Sequence, residues 1–381
     1  MPNSESTTTT PRPVRLAAAL IVLRDGNQGL ETLLLRRADK ANDQNSGATV
    51  FPGGLVDSFD RHLHAHCAGI DDASASARLS LAEGGLDSYA AAVRECFEEA
   101  GVLFACDADG QLVELDRHSA AELDAMRQAA VAGTDALLSL CDAHGWRLAA
   151  DRLAYFSHWL TPPGMARRYD TRFFVALMPP GQTPRHDGQE IVEHAWIRPV
   201  DALDPARGLK LLNVTRRLLE KLSTFGTAQD CLVHARGLRE VRLELPRLAN
   251  GPAGLRPVNV GEPAHAEIGL VDPQGQGHAR YALEAGLVMR LAPRVWRVTA
   301  GEADGSAGAH SYFVGGTDGP WALIDPLPGD AAHASALRAA APGPVRWILF
   351  TNDAGIGDLD AQLQAAWPEA TRAGATPGES L

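Results

Sequence analysis

The chain has 381 residues, 45% of them hydrophobic and 22% charged, with a formal net charge of −12. That length exceeds what one core usually organises, so two domains are expected, with the composition of a soluble globular protein. The acidic balance and the lack of any dense basic run exclude a nucleic-acid-binding surface, which needs Lys and Arg against phosphate.

In chain order, residues 1–13 are polar and Thr-rich and read as a disordered tail. The apolar run 16–23 is too short to span a bilayer and lacks the order of a signal peptide, so no membrane partner is expected. It reads as a strand, joined by a hairpin at 25–29 to a second strand at 31–37. The stretch 55–86, rich in Asp, Ser, Ala and His, reads as an irregular insertion, followed by a helix over 87–100. Residues 119–144 are expected as one helix with Ser119 as N-cap, 172–178 and 193–198 as strands, and 206–224 as a helix. Gly and Pro then rise, which predicts a linker over 246–280 and sets the first domain at 14–245 and a smaller module at 281–381. Within that module 294–299, 311–314, 321–324 and 345–350 read as short strands. Cys67, Cys96, Cys106, Cys141 and Cys231 show no CxxC spacing, which predicts reduced thiols and a cytoplasmic location.

The helix at 87–100 carries the chemistry. Asp87 or Ser88 can cap its start, and Gly101 suits the left-handed residue after its last turn. Val93, Cys96, Phe97 and Ala100 form an apolar stripe, so Cys96 belongs to the core. Glu95, Glu98 and Glu99 share another face, turned away from that stripe. Three crowded carboxylates repel one another unless a cation lies between them, and a hard divalent ion such as Mg²⁺ accepts that oxygen-rich arrangement. Arg94, four residues before Glu98, can orient a carboxylate.

Preceded by Phe51-Pro52-Gly53-Gly54, the string from Arg94 to Val102 matches the pattern REUxEExGU and resembles the second half of the Nudix box. The resemblance covers roughly residues 14–245 and implies an α/β fold, the Nudix α/β/α sandwich. It also implies hydrolysis of a diphosphate by water with Mg²⁺ or Mn²⁺. Carried over by position, Glu98 and Glu99 resemble metal ligands, Glu95 a ligand or base, Arg94 the orienting cation, and the Gly53 or Gly54 carbonyl a backbone ligand. The front half departs from the box. Leu86 stands where it has Glu, with Asp87 one position late, and Ser80 stands where it has Gly. Gly54 lies 40 residues before Arg94, so an insertion splits the box.

Such a split is similar to the coenzyme A diphosphatase-like branch. Leu33-Leu34-Leu35-Arg36-Arg37, Gly47 and the Phe51–Gly54 turn resemble its coenzyme A signature, one residue longer and without its Ser and second Arg. Trp159-Leu160-Thr161-Pro162 and the run from Arg168 through Asp170 to Phe174 resemble another stretch of it. The implied substrate-binding residues are Arg36, Arg37, Phe51, Arg168 and Asp170. Arg167 is a further phosphate-binding candidate, since arginine forks match phosphate oxygens. Glu190 and Glu193, before the strand with Trp196, are candidates for a further ligand or base. His62, His64 and His66 alternate, but in the insertion they read as ordinary polar residues rather than a metal site.

The C-terminal strands, with Val295–Val298, His310–Val314 and Ala322–Pro326, resemble the opening of a metallo-β-lactamase fold. Where that fold has its HxHxDH zinc cradle this chain offers Asn352, Asp353 and Asp358 and no histidine. His310 and His333 are expected at the surface. The module is therefore expected to be a partial, metal-less αβ unit that covers its exposed sheet by docking on the first domain or on a second copy, as a homodimer. Together these readings predict a hydrolase of coenzyme A or an acyl derivative, with a small-molecule diphosphate as partner. The alternatives are a hydrolase of ADP-ribose or nucleotide sugars, and a non-hydrolytic nucleotide sensor.

Overall fold

The architecture comes from a computed structural model that describes residues 13–41, 45–131, 133–301, 307–316, 318–327, 329–351 and 361–374. The chain divides into two units, Met1–Thr161 with Ala166–Leu245, and Pro162–Met165 with Pro246–Leu381. No helix among the described residues is long and apolar enough to cross a membrane.

The first unit opens with β1 (Val14–Gly26) and β2 (Gly29–Arg37), an antiparallel hairpin turning through Asn27 and Gln28. Then come β3 (Thr49–Val50), β4 (Gly53–Leu55), a 3-10 turn over Asp60–His66, α1 (Asp72–Leu79) and α2 (Gly85–Ala100). A two-strand ladder, β5 (Ala105–Cys106) with β6 (Arg147–Leu148), brackets α3 (Ala120–Val131) and α4 (Thr134–His144). The unit closes with β7 (Ala154–Leu160), β8 (Arg168–Leu177), β9 (Ile191–Ile197), α5 (Pro199–Ala202), α6 (Asn213–Leu222), α7 (Ala228–Gly237) and β10 (Leu243–Glu244).

These strands form a mixed sheet in the order β10-β7-β8-β1-β2-β3, with β4 on β1 and β9 on β2. β1 is central and runs parallel to β8 from Val14↔Arg168 to Leu23↔Leu177. Its alternation explains the layers: Ala18, Leu20 and Val22 enter the core that holds α2, whereas Ala19, Ile21 and Leu23 enter the core of α6 and α7. Helices on both faces of one sheet make this unit an α/β/α sandwich.

Several expectations change. Residues 119–144 are two helices, parted at Gly133, whose φ of 129° a helix interior cannot use. Ser119 does cap α3, in a reciprocal box with Glu122. The insertion is ordered, with a 3-10 turn and α1, and its histidines pair with residues outside it. His62, His64 and His66 pair with three different residues, Asp135, Asp87 and Asp142, and converge on nothing. Neither Asp87 nor Ser88 caps α2. Its N-cap is Gly84, and the Asp72 carboxylate accepts the N–H groups of Gly84 at 3.0 Å and Leu86 at 2.9 Å, while Ser76 Oγ takes that of Gly85 at 2.8 Å. All five cysteines are free and buried.

In the second unit the stretch expected as a linker is folded: β11 (Arg247–Ala249), β12 (Arg256–Val258) and α8 (His265–Val271) enclose a small cluster of Ala249, Val258, Ile268 and Ala279. The Asp272 carboxylate accepts the N–H groups of Gln276, Gly277 and His278, which fixes the following loop. Beyond it β13 (Val288–Ala292), β14 (Val295–Gly301), β15 (Ala307–Gly315) and β16 (Trp321–Ile324) pair antiparallel. Parallel strands β17 (Val345–Phe350) and β18 (Thr371–Gly374) extend that sheet, with α9 (Ala331–Ala340) and α10 (Ala361–Ala366) in the crossovers. His333 is not at the surface. It is buried and hydrogen-bonded to Ser311 at 2.7 Å, within the layer where α9 meets the sheet. Asn352, Asp353 and Asp358 lie outside the described residues.

The cap on α2 can be tested directly. Asp72→Ala should lower unfolding free energy by about 1–2 kcal/mol, the usual worth of an N-terminal carboxylate cap. Chemical denaturation of the two proteins measures it, and equal midpoints and slopes would exclude the cap.

Candidate active site

The Phe51–Gly54 turn and α2 meet because β4 hangs on β1 and α2 covers that face of the sheet. Gly53 lies opposite Ala19 and Gly54 opposite Ala18. A Cβ at Gly53, whose φ is 157°, would run into the Ala18 carbonyl, and one at Gly54 would collide with the Glu95 carboxylate. The two glycines therefore let Glu95 lie directly against the turn. One oxygen of Glu99 accepts the Gly53 N–H at 2.9 Å.

The glutamate face is buried rather than solvated. Glu99 is 7% exposed, and Glu95 and Glu98 are half-buried. Burial raises all three carboxyl groups above their ordinary value, Glu98 to about 7. For Glu99, burial dominates over the Gly53 hydrogen bond, and the charge on Glu95 pushes it further up. Arg94, also buried, stays charged: burial opposes the charge, but Asp60 and the glutamates outweigh it. Its guanidinium spans Asp60 at 2.8 and 3.1 Å, the Leu55 carbonyl at 3.0 Å, Glu95 at 2.9 Å and Glu98 at 3.2 Å.

Asp60 is the residue that sequence reasoning missed. It comes from the insertion, and only its acidic character marked it there. Leu86, in the box position of the missing Glu, is 2% exposed in the core, and Asp87 pairs with His64 and Arg61. Ser80, in the box position of Gly, ends α1 at a φ of 55°, a conformation glycine adopts more cheaply.

Residues 86–210 match a family model described as the NUDT19 Nudix domain. Over that stretch the first unit is similar to Nudix domains. The chain is 26% identical over 213 residues to the acyl-coenzyme A diphosphatase NUDT19 of Xenopus laevis, covering 48% of this chain and 56% of that one. It is 32% identical over 240 residues to the protein of the same name from Gallus gallus, covering 52% and 63% respectively. The chain thus spans rather more than half the length of these relatives. A crystal structure of a NUDIX hydrolase from Alicyclobacillus acidocaldarius aligns with a TM-score of 0.49 at 27% identity, over 58% of this chain and 96% of that one.

Other expected site residues fall in different places. Arg37 pairs with Glu190, and both lie near enough to Glu99 to influence its proton, Arg37 favouring and Glu190 opposing its charge. Glu193 is exposed on β9, opposite Arg36, whose own ion pair is with Asp39. Phe51 is buried in the core beside α6 and α7, so it packs rather than presents a ring to a ligand. Asp170 is held by His158 at 2.5 Å and Arg172 at 3.3 Å, and Arg168 by the Thr161 carbonyl at 3.0 Å. The structure does not bring Phe51 to the carboxylates, and the contacts of Arg36, Arg168 and Asp170 lie elsewhere.

The donor set of Glu95, Glu98, Glu99 and the Gly53 or Gly54 carbonyl is all hard oxygen and fits a divalent cation of the Mg²⁺ or Mn²⁺ kind. Three buried or half-buried carboxylates, Asp60, Glu95 and Glu98, share the single guanidinium of Arg94, and buried Glu99 adds a fourth on the same helix, so negative charge is in excess there. Among the described residues no three acidic, His or Cys side chains are already gathered about one point, since Arg94 stands between Glu95 and Glu98.

A pH experiment follows. Glu98 holds its proton up to about 7 in the folded chain, against an ordinary value of 4.5. Its contribution to stability is whole below the lower value and is lost as pH rises through the higher one. Metal-free protein should therefore lose Tm between about pH 5 and pH 8 relative to Glu98→Gln, which has no such proton. A Tm difference that stays constant over this range would contradict the assignment.

Proposed function

We propose that this chain is a metal-dependent diphosphate hydrolase acting on coenzyme A or an acyl-coenzyme A. The observation that carries the reading is the Glu95, Glu98 and Glu99 face, buried against the Gly53-Gly54 turn with Arg94 among its carboxylates. An excess of buried oxygen donors is costly in a purely structural helix and useful to an enzyme that needs a cation. The names of the two relatives support the coenzyme A class.

Glu98 and Glu99, with Glu95 and a carbonyl of the turn, would hold Mg²⁺ or Mn²⁺. A bound ion of this kind neutralises phosphate charge and makes water acidic enough to attack phosphorus. Arg94 orients Glu95 and Glu98 through its Nη1 edge. Glu95, in contact with the turn, and exposed Glu190 are the two groups fit to take a proton from water. Arg37 would meet the diphosphate, exchanging its partner Glu190 for a phosphate oxygen. Arg36 stands beside it on β2, and Arg168 and Asp170 would act farther along the substrate.

Glu98→Gln or Glu99→Gln should reduce turnover at least about 10²-fold while circular dichroism stays unchanged. Parental turnover in either variant would refute the catalytic assignment. Among substrates, coenzyme A and its acyl derivatives should show the highest kcat/KM, ahead of ADP-ribose, nucleotide sugars and nucleoside triphosphates. A preference for ADP-ribose or a triphosphate would displace the coenzyme A class. Tight binding of a nucleotide with no turnover would instead favour a sensor.

A further inference from the structure

Every N–H of the Arg94 guanidinium is used. Nε donates to Asp60 Oδ1 at 2.8 Å and Nη2 to Asp60 Oδ2 at 3.1 Å and the Leu55 carbonyl at 3.0 Å. Nη1 donates to Glu95 at 2.9 Å and Glu98 at 3.2 Å. Five donors with five acceptors leave the group no freedom to turn without losing a bond. Asp60 sits in the insertion, 34 residues before Arg94, and is 0% exposed. Its second oxygen also accepts the Asp57 N–H at 2.8 Å, which fixes the carboxylate from behind.

We propose that Asp60 is a positioning residue of the hydrolytic site, clamping Arg94 by its Nε–Nη2 edge so that only its Nη1 edge is turned to Glu95 and Glu98. The proposal rests on the reading of these glutamates as cation ligands. A guanidinium fork fits one carboxylate through two parallel bonds, and here that carboxylate is Asp60. Asp60 offsets the Arg94 charge, so that the net charge of Glu95, Glu98 and Glu99 stays available to a divalent ion. With Asp60 uncharged, Arg94 has a full positive charge to place, and the charged acceptors it already touches are Glu95 and Glu98. It would compete with the cation for the same oxygens. Leu86 cannot serve in place of Asp60, being apolar and in the core, and Asp87 is engaged by His64 at 2.7 Å. The insertion that splits the box thus returns a carboxylate to it.

The test is Mn²⁺ binding to the full, metal-free chain, followed by the electron paramagnetic resonance of free Mn²⁺, for the parent, Asp60→Asn, Arg94→Gln and the double variant. Asp60→Asn should bind Mn²⁺ at least about tenfold more weakly, as expected for a partner one shell beyond the ligands. The double variant should bind like Arg94→Gln alone, because Asp60 acts through Arg94. A residue that served only to stabilise the fold would produce no such dependence. Parental binding by Asp60→Asn, or an equal further loss in the Arg94→Gln background, overturns the proposal while leaving the hydrolase reading standing. A parent that takes up no Mn²⁺ overturns both. If Asp60→Asn does not accumulate as folded protein, the Arg94 Nε–H resonance of the parent decides. It should remain slowly exchanging when Mg²⁺ is added, and its loss would show that Arg94 leaves Asp60 with the glutamates.

Discussion

Taking carboxylates out of water beside one another is the constraint around which the first unit is arranged. Burial raises the carboxyl groups of Glu95, Glu98 and Glu99 above their ordinary value, and neighbouring acids add to the penalty. A structure can hold such a set only if hydrogen bonds and a cation answer it. The Gly53 N–H answers Glu99, and Arg94 answers Glu95 and Glu98. Both depend on backbone that side chains would obstruct: a Cβ at Gly54 would displace Glu95, and one at Gly53 would break the pairing of β4 with β1.

The insertion reads differently in this light. Its residues look like surface loop in composition, yet they supply the buried partner of Arg94 and the cap of α2. Asp72 and Ser76 satisfy three consecutive N–H groups at the start of that helix, Gly84 to Leu86, where no side chain of the helix itself does so. Asp60 then fixes Arg94 two turns farther along. One end of α2 and its middle are thereby tied to the same segment, so the direction of the glutamate face is set by polar contacts from outside the helix as well as by its apolar stripe.

Sequence patterning reached the first hairpin and the carboxylate helix, whereas the layers were implied by the family resemblance. Strand β1 alternates between two cores, and α2 repeats Val93, Cys96, Phe97 and Ala100 into one of them. Contacts between distant segments left no such trace. Nothing in residues 55–86 distinguishes Asp60 from Asp57 or Asp71, since what singles it out is where the 3-10 turn places it. Phe51 illustrates the converse: its place in a motif suggested a ligand contact, and the fold buries it on the α6–α7 face, which a motif alone does not reveal. Residues 246–280 were hard to read because their elements are three to seven residues long, below the length at which a period can be recognised. His333 was obscured in the same way, its partner Ser311 lying 22 residues away on a strand.

The charge balance of the site bears on how an acidic protein would handle an anionic substrate. Counting Glu190 and Arg37 with the central group gives five carboxylates, Asp60, Glu95, Glu98, Glu99 and Glu190, against two guanidiniums, Arg37 and Arg94. A bare diphosphate approaching that arrangement meets repulsion at close range, which low-dielectric surroundings strengthen. Arginine alone cannot reverse this, because Arg94 is saturated and Arg37 is already paired. Under the proposed function, the attraction for the substrate therefore depends on divalent cations drawn in by the glutamates, and the same excess charge that makes the metal-free site costly is what selects them. Neutralising the glutamates by protonation would relieve the strain and abolish that selection together, so stability without metal and capacity for metal must run in opposite directions with pH.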